Sequence, residues 1–326
     1  NKNGLKIFVS ILAILVIGIL GYIYSIYANV KDSMDTAYTP VEIETFRTTN
    51  TGTVADSSED EESRADAGAM TPSELLEAGE PVSILLLGVD TGDLGRTEQG
   101  RSDSMVVVTI NPHTQKTTLL SIPRDTYTEI VGYGTSDKIN HAYAFGGTAM
   151  SINTVQQMLD IPIDFYVMVN MAGIQEIVDA VGGITVESPL AFNQNGYDFV
   201  QGTNQLDGEA ALAFARMRYE DPAGDTGRQG RQRLVIEAVI RKLATPETLL
   251  NYQTILQSLS SNVQTSFQLS DFYTLQSQDY LGAVDNMNQQ QLGGTGGMMN
   301  EIYYNFVDGT ELTRVQDLLQ AELELE

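Results

Sequence analysis

Residues 88–105 read GVDTGDLGRTEQGRSDSM, and this segment lies between two apolar runs, residues 82–87 and 105–110. Both runs are short and apolar, which predicts two strands. Asp90 falls where the first strand ends, and Arg101 and Asp103 fall where the second begins. Open α/β sheets usually hold their ligands at strand ends and in the adjoining loops. The segment is therefore the first candidate for a binding site.

Two carboxylates and a guanidinium meet in this candidate site. Asp90 and Asp103, delivered by neighbouring strands, supply the oxygen ligands that a hard divalent cation prefers. Arg101 lies close to Asp103 and indicates that the ligand carries negative charge of its own, most simply a phosphate. The alternative is that both carboxylates only cap turns in solvent.

Composition excludes several classes of protein. The chain has 326 residues and 42% hydrophobic residues, enough for a real core in one large domain or two ordinary ones. Its formal net charge of -25 repels nucleic-acid phosphates. The absence of Cys excludes disulfides, thiolate metal sites and cysteine nucleophiles. His113 and His141 are the only histidines, which favours a carboxylate-held Mg²⁺, with Mn²⁺ as the alternative, over an imidazole-based zinc site.

The N-terminal part of the chain predicts a membrane anchor. Residues 7–27, IFVSILAILVIGILGYIYSIY, carry no charge and meet the length of roughly 20 apolar residues that a spanning helix needs. A cleavable signal peptide is the alternative, but the run is longer than a normal signal core and no clear small-x-small cleavage site follows. Lys2 and Lys6 precede the run. The positive-inside rule then predicts a single-pass cell-membrane protein with a cytoplasmic tail (residues 1–6) and an extracellular remainder.

The rest of the chain divides by composition. Residues 28–80 are rich in Thr, Ser, Asp and Glu, which predicts a flexible acidic stalk. Residues 81–326 alternate strand and helix signals, which predicts an α/β fold, a layered sandwich with a mixed central sheet. Within it we expect a core at residues 81–265 and a C-terminal extension at 266–326.

Several elements of this domain can be placed. MVVVTI and TTLLSI flank the turn-rich NPHTQK and predict a hairpin. Residues 139–160 should be largely helical beyond Gly147, and DFYVMVN should form a buried strand. Asp207 is positioned to cap a helix that runs to Arg216, and residues 229–244 have the apolar spacing of an amphipathic helix.

The second stretch that indicates chemistry is AFARMRYEDPAGDTGRQGRQR, residues 213–233. Five arginines crowd into it although the chain is acidic overall: Arg216, Arg218, Arg228, Arg231 and Arg233. Guanidinium forks that converge on a loop and a helix start suit a diphosphate. The alternative is a surface ion-pair network. For SIPRD, where Arg124 and Asp125 follow a strand, a solvated strand-end pair is the reading that the local residues favour.

Two familiar motifs are absent. Residues 95–102, GRTEQGRS, approximate a phosphate-binding P-loop, but Arg101 replaces the required Lys and a strand-like run follows instead of a helix. No GxSxG elbow occurs, so a serine hydrolase has no support.

The motifs GVD…GRSDSM, SIPRD, KINHAY and DGxxALAFARMR…D…GRQGRQ, in this order over residues 81–265, resemble the LytR–CpsA–Psr family. Its members are membrane-anchored enzymes of Gram-positive and related cell envelopes. The resemblance implies an αβα sandwich that binds a polyprenyl (pyro)phosphate lipid. It also implies a phosphotransferase that moves a glycopolymer, such as teichoic acid or capsular polysaccharide, from this carrier to peptidoglycan.

The resemblance also implies residue roles. Asp90 and Asp103 match the family's Mg²⁺ ligands and, with Arg101, form the expected catalytic group; Asp90 is also a candidate base for the acceptor hydroxyl. The residues that match the family's pyrophosphate contacts, or lie beside them in the motif, are Arg101, Arg124, Arg216, Arg218, Arg228, Arg231 and Gln232. An apolar channel for the lipid tail is expected between the strand at 106–110 and the helices at 152–159 and 234–239.

Two other functions remain open from the sequence. The same site would serve a hydrolase that cleaves the carrier pyrophosphate, or a scaffold that binds the carrier lipid without catalysis. A transcriptional regulator conflicts with the predicted anchor and with the net charge.

Overall fold

A computed structural model describes residues 37–41, 47–48, 69–90, 100–245, 262–277 and 279–325. The predicted transmembrane segment, residues 7–27, and most of the predicted stalk lie outside the described residues. Within the described ranges, no helix combines the length and apolar character needed to cross a membrane.

Helices and strands are numbered here in chain order. The helices are α1 (Pro72–Ala78), α2 (His141–Leu159), α3 (Met171–Ala180), α4 (Gly208–Arg216), α5 (Gly224–Leu243), α6 (Leu269–Ser277) and α7 (Gly309–Glu322). The strands are β1 (Arg47–Thr48), β2 (Ala69–Met70), β3 (Val82–Val89), β4 (Ser102–Asn111), β5 (Lys116–Ile122), β6 (Tyr127–Ile130), β7 (Thr135–Lys138), β8 (Phe165–Asn170), β9 (Ile184–Ser188), β10 (Phe192–Gln194), β11 (Tyr197–Phe199), β12 (Gly202–Leu206), β13 (Val263–Thr265), β14 (Met287–Gln291), β15 (Thr295–Met299) and β16 (Ile302–Phe306).

A six-stranded mixed sheet organises the domain, in the order β13-β8-β3-β4-β5-β14. Strands β3, β4 and β5 are antiparallel neighbours, and the predicted hairpin pairs Met105 with Ile122. Strand β8 is parallel to β3, and β14 is parallel to β5. The predicted α/β class and mixed central sheet are confirmed.

Helices cover both faces of this sheet. Side chains alternate along a strand, so Val107 of β4 points into one core cluster and Val106 into the other. Helices α2 and α7 complete the first cluster, which we call the α2 face. Helices α1 and α6, together with Ile236 of α5, complete the second, which we call the α5 face. A third apolar cluster joins α3, α4 and α5 to β9 and β12.

This arrangement corrects the predicted lipid channel. Ile152 and Leu159 of α2 are buried on the α2 face of the sheet. Leu234 and Val239 of α5 pack against the third cluster instead. The two helical segments therefore lie on opposite sides of the sheet and do not line one channel.

The folded domain begins earlier than residue 81. Helix α1 lies within the predicted stalk, and its Thr71 cap accepts a hydrogen bond from the backbone N–H of Glu74. Leu75 and Leu76 of α1 are buried in the core. Thr39 also donates its backbone N–H to Thr265 at 2.9 Å. The buried leucines of α1 and the hydrogen bond from Thr39 thus connect both parts of residues 28–80 to the domain.

The C-terminal part of the chain completes the same domain. Strand β14 forms one edge of the central sheet, and Val315 and Leu319 of α7 are buried in the α2-face cluster. The Asn-, Gln- and Gly-rich stretch before residue 300 contains β14 and β15, which its composition did not predict.

Candidate phosphate-binding site

The two predicted strands deliver Asp90 and Asp103 to one end of the sheet. The backbone N–H of Asp90 donates to the carbonyl of Arg101 at 3.2 Å, and the N–H of Arg101 donates to Asp90 Oδ1 at 2.5 Å. Gly88 pairs with Ser104 but Val89 pairs with Ser102, so Asp103 is the extra residue of a β-bulge. Bulges bend a strand and redirect side chains beside functional sites.

Arg124 connects this strand end to the next one. It follows β5, and its Nη1 donates to Asp103 Oδ1 at 2.9 Å. Its Nε lies 3.7 Å from Asp125 Oδ2, and Lys138 Nζ donates to Asp125 Oδ1 at 2.7 Å. Burial alone would lower the pKa of Arg124, but Asp103 and Asp125 outweigh it, so the pKa is raised. SIPRD therefore places a partly buried, charge-paired arginine at the site rather than a fully solvated pair.

The arginine-rich stretch reaches the same place. Arg228 Nη2 lies 2.7 Å from Asp225 Oδ1, and Arg218 Nε lies 3.9 Å from the same oxygen. Burial lowers the pKa of Arg228; Asp225 opposes this, while the nearby charge of Arg124 lowers it further. The charges of Arg228 and Arg124 therefore interact, although the residues are far apart in sequence.

Two nitrogens of Arg228 have no hydrogen-bond partner among the described residues. Its Nε and Nη2 are buried there without an aligned hydrogen bond, because the close approach to Asp225 lacks hydrogen-bond geometry. Buried polar atoms are normally satisfied, and a guanidinium with open donors is suited to a phosphate oxygen. Arg228 therefore brings hydrogen-bond donors that are open to a ligand close to the carboxylates of Asp225 and Asp103.

The other predicted residues differ in position. Arg101 is exposed beside Asp90, and Arg216, also exposed, ends α4. Gln232 is partly buried and lies one helical turn after Arg228 on α5.

Arg231 is in a different environment from the predicted one. Its side chain is fully buried and forms an ion pair with Asp221, while its Nε donates to the carbonyl of Phe214 at 3.2 Å. Nη2 donates to the carbonyl of Met217. With its donors used inside the protein, Arg231 does not fit the predicted contact with a pyrophosphate; instead it fixes the loop between α4 and α5.

Arg233 was not among the predicted pyrophosphate contacts. Its Nε and Nη1 are buried and have no hydrogen-bond partner among the described residues, and burial lowers its pKa. Helical spacing could have identified it, because Asp225, Gln229 and Arg233 recur every four residues along one side of α5. Gln229 on this stripe donates to Asp225 at 3.0 Å.

The residues at the strand ends fit a hard divalent cation. Asp90 and Asp103 offer hard carboxylate oxygens at one end of the sheet. Arg124, which donates to Asp103, is a residue type that also binds phosphate. Among the described residues, no group of three or more His, Cys, Asp or Glu is arranged to hold a metal ion. Mg²⁺ is commonly bound by one or two carboxylates, with waters and substrate phosphates completing its shell. Two carboxylates are therefore a sufficient protein share of such a site.

The protein is a mixed α/β sandwich that brings carboxylates and arginines together at one end of its sheet, a set of charges suited to a phosphate-bearing ligand. The LytR_cpsA_psr family model matches residues 43–321, and the chain belongs to this family.

Individual relatives support this assignment. The chain is 45% identical over 325 residues to the polyisoprenyl-teichoic acid–peptidoglycan teichoic acid transferase TagU of Enterococcus faecalis, with 99% of both chains covered. The crystal structure of Bacillus subtilis TagU matches with a TM-score of 0.62 at 42% identity, covering 76% of this chain and 98% of that one. A structure of TagT bound to LI-WTA matches with a TM-score of 0.64 at 30% identity, covering 76% and 93%.

Proposed function

We propose that this protein transfers teichoic acid from a polyisoprenyl carrier to peptidoglycan, the activity for which its Enterococcus faecalis relative is named. The observation that carries the proposal is the meeting of the Asp103–Arg124 pair with Arg228, whose open donors are suited to a phosphate. We propose three further details. The carrier is bound as a pyrophosphate, and Mg²⁺ assists the transfer. Residues 7–27 anchor the chain in the membrane so that the domain is extracellular.

The chemistry follows from the charges at the site. An acceptor hydroxyl of peptidoglycan attacks the phosphorus next to the glycan, the new O–P bond forms, and the bond to the carrier phosphate breaks. Polyprenyl phosphate leaves with that electron pair, and the hydroxyl proton passes to a base, for which we propose Asp90. The arginines hold the phosphates and stabilise the charge that develops in the transition state.

Asp90 and Asp103 would hold the Mg²⁺ ion. When bound, it supplies positive charge to the pyrophosphate oxygens. Arg124 holds Asp103 at 2.9 Å, and the backbone N–H of Arg101 holds Asp90 at 2.5 Å, so both carboxylates are positioned by the protein itself.

A transfer assay tests the proposal. The full chain in detergent receives labelled glycan on polyprenyl pyrophosphate, together with peptidoglycan fragments, with and without Mg²⁺. We expect metal-dependent label on the acceptor, lost in Asp90→Asn and Arg218→Ala and retained in Arg241→Gln. Arg241 is a matched control because it is exposed and pairs only with Glu237 among the described residues.

The products separate the other functions. Free glycan phosphate without labelled acceptor would replace the transferase by a hydrolase. Tight lipid binding with no turnover on any acceptor would replace it by a carrier-lipid scaffold.

A further inference from the structure

Two aromatic side chains stack on the surface in the elements that follow Arg124 along the chain. The ring centroids of Tyr133 and Phe145 are 4.0 Å apart, with 13° between the ring planes. Tyr133 is 52% exposed and Phe145 is 38% exposed. A stacked pair buries only one face of each ring against the other, so this aromatic pair leaves apolar surface open to a partner.

The backbone holds the aromatic pair in place. Helix α2 is interrupted at Gly146 and Gly147, where φ/ψ are not helical, so the turn that carries Phe145 is separate from the rest of the helix. A Cβ at Gly146 would come 2.6 Å from Met150 Cε. Tyr133 lies in the β6–β7 turn between Gly132 and Gly134, which both have positive φ. These glycines allow two tight bends that bring the rings together.

Polar groups lie next to the rings. His141 meets Phe145 edge-to-face, with ring centroids 5.7 Å apart, and its Nδ1 lies 2.7 Å from Asp137 Oδ2. The hydroxyl of Tyr304 donates to Asp137 Oδ1 at 3.2 Å. The partly exposed His141–Asp137 pair therefore places groups that can donate to or accept from hydroxyl groups next to Phe145.

The elements that carry the aromatic pair begin next to the backbone of Arg124. Asn140, just before α2, donates its backbone N–H to the carbonyl of Arg124 at 3.3 Å. At 1.5 Å of rise per residue, Phe145 lies about 7 Å from Asn140 along the helix axis. Strand β6, which leads to Tyr133, begins at Tyr127, three residues after Arg124.

We infer that Tyr133 and Phe145 form a stacking platform for the acceptor, a glycan strand of peptidoglycan; this inference rests on the proposed transferase function. The C–H faces of a sugar ring are apolar and pack on aromatic rings, while its hydroxyls need polar partners. An aromatic pair bordered by the partly exposed His141–Asp137 pair combines both requirements.

Geometry favours the acceptor over the donor glycan. The nucleophile of a phosphoryl transfer enters roughly in line with the leaving group and opposite to it. The arginines that would hold the carrier phosphates come from α4 and α5, and α5 packs on the α5 face of the sheet. Helix α2 packs on the α2 face. The platform is therefore on the opposite face of the sheet from the helix that supplies Arg228, and we assign it to the acceptor, the substrate that does not carry the carrier phosphates.

Direct binding gives the first test. The chain contains no Trp, so Tyr133→Trp retains an aromatic ring and introduces a unique fluorophore. We expect the emission of this full-chain variant to change on titration with soluble, uncross-linked peptidoglycan strands. Tyr273→Trp, on a side chain that is 44% exposed on α6, is the matched control and should not respond. An unchanged emission in the Tyr133→Trp variant would argue against the platform whether or not the enzyme turns over.

Kinetics give the second test. Tyr133→Ala and Phe145→Ala should each raise KM for the acceptor by about three- to tenfold, with kcat and KM for the lipid donor unchanged. Tyr133→Trp should restore the acceptor KM, and Tyr273→Ala should leave it unaltered. A rise in donor KM alone would assign the platform to the donor glycan and overturn the inference. An inactive wild-type enzyme would instead contradict the transferase function, while the fluorescence titration would still report on the platform.

Discussion

Arg228 and Arg231 lie three residues apart on α5, within one motif, and have opposite environments. Arg231 is fully buried, and Asp221 and two backbone carbonyls accept from its guanidinium. Arg228 has two buried nitrogens without an aligned hydrogen bond to any residue that the structure describes, and it lies beside the charges of Arg124 and Asp225. Side chains three residues apart on a helix differ in direction by only about 60°, so the boundary between the core and the ligand site runs between these two neighbouring positions. The role of each arginine on this helix therefore depends on which acceptor groups lie next to its side chain.

The largest effect is expected when the buried pair is broken. Arg231→Met leaves Asp221 buried and without its ion partner, which typically costs about 3–5 kcal/mol of unfolding free energy. Chemical denaturation of the variant measures this loss. The double variant Arg231→Met with Asp221→Asn should recover part of it, since no uncompensated charge remains. If Arg231→Met were as stable as the wild type, Arg231 would not have the structural role that distinguishes it from Arg228.

Arg228→Gln should have the opposite profile. Because Arg228 faces the site with unused donors, we expect its unfolding free energy to change little and its kcat/KM for transfer to fall by about 10²–10³-fold. Steady-state transfer and a thermal melt on the same preparation check both parts. A loss of stability comparable to that of Arg231→Met would show that Arg228 is structural as well.

The pH dependence sharpens the comparison further. Burial would raise the pKa of Asp221, but the hydrogen bonds from Arg231 and the Ala223 N–H outweigh it, so its pKa is lowered. The pair's stabilisation is then complete above the unfolded pKa, near pH 4, and is lost as the pH falls through the lower folded value. The difference in unfolding free energy between the wild type and Asp221→Asn should therefore be constant from pH 8 to pH 5 and shrink in more acidic solution. A constant difference down to about pH 2 would contradict the assignment.

Replacing Arg233 should change the unfolding free energy least, and it should increase that free energy where Arg231→Met decreases it. Its two buried nitrogens lack partners among the described residues, and burying an unpaired charge is unfavourable. Arg233→Met should therefore raise the unfolding free energy of the ligand-free protein by about 1 kcal/mol, measured by chemical denaturation. Arg241→Met, on an exposed side chain of the same helix, is the control and should change little. A destabilised Arg233→Met variant would indicate a partner that fluctuates into contact.

The fold was largely predictable because its signals are local. Short apolar runs in the sequence predicted β3, β4 and β5. Asp207 caps α4 as predicted, and its side chain accepts from the backbone N–H of Ala210 at 2.8 Å. The early start of the domain was missed because α1 is short and acidic, and only tertiary contact buries Leu76. Strand β14 was missed because Gln and Asn have low strand propensity; it forms by pairing with β5.

The site was predictable in outline. Charged residues at strand ends identified Asp90, Asp103 and Arg101, and the crowding of arginines identified Arg228. Sequence could not tell Arg231 from its neighbours, because its partner Asp221 lies in a loop whose path is set by tertiary packing. Gly227 is part of that packing, since a Cβ there would overlap the Asp221 carboxylate. The exposed aromatic pair also depends on backbone bends at glycines, which no periodicity reveals.

Strand β14 has a consequence for the order in which the domain is completed during synthesis. The ends of β3, β4 and β5 and the arginines of α5 are all translated before residue 234, yet β5 gains its outer neighbour only when residues 287–291 emerge. At about 5–20 residues per second, this interval leaves β5 as an open strand edge for several seconds. Unpaired edges invite association with other chains. A nascent chain that stalls before β14 would therefore carry every arginine of the phosphate site and still be prone to aggregation.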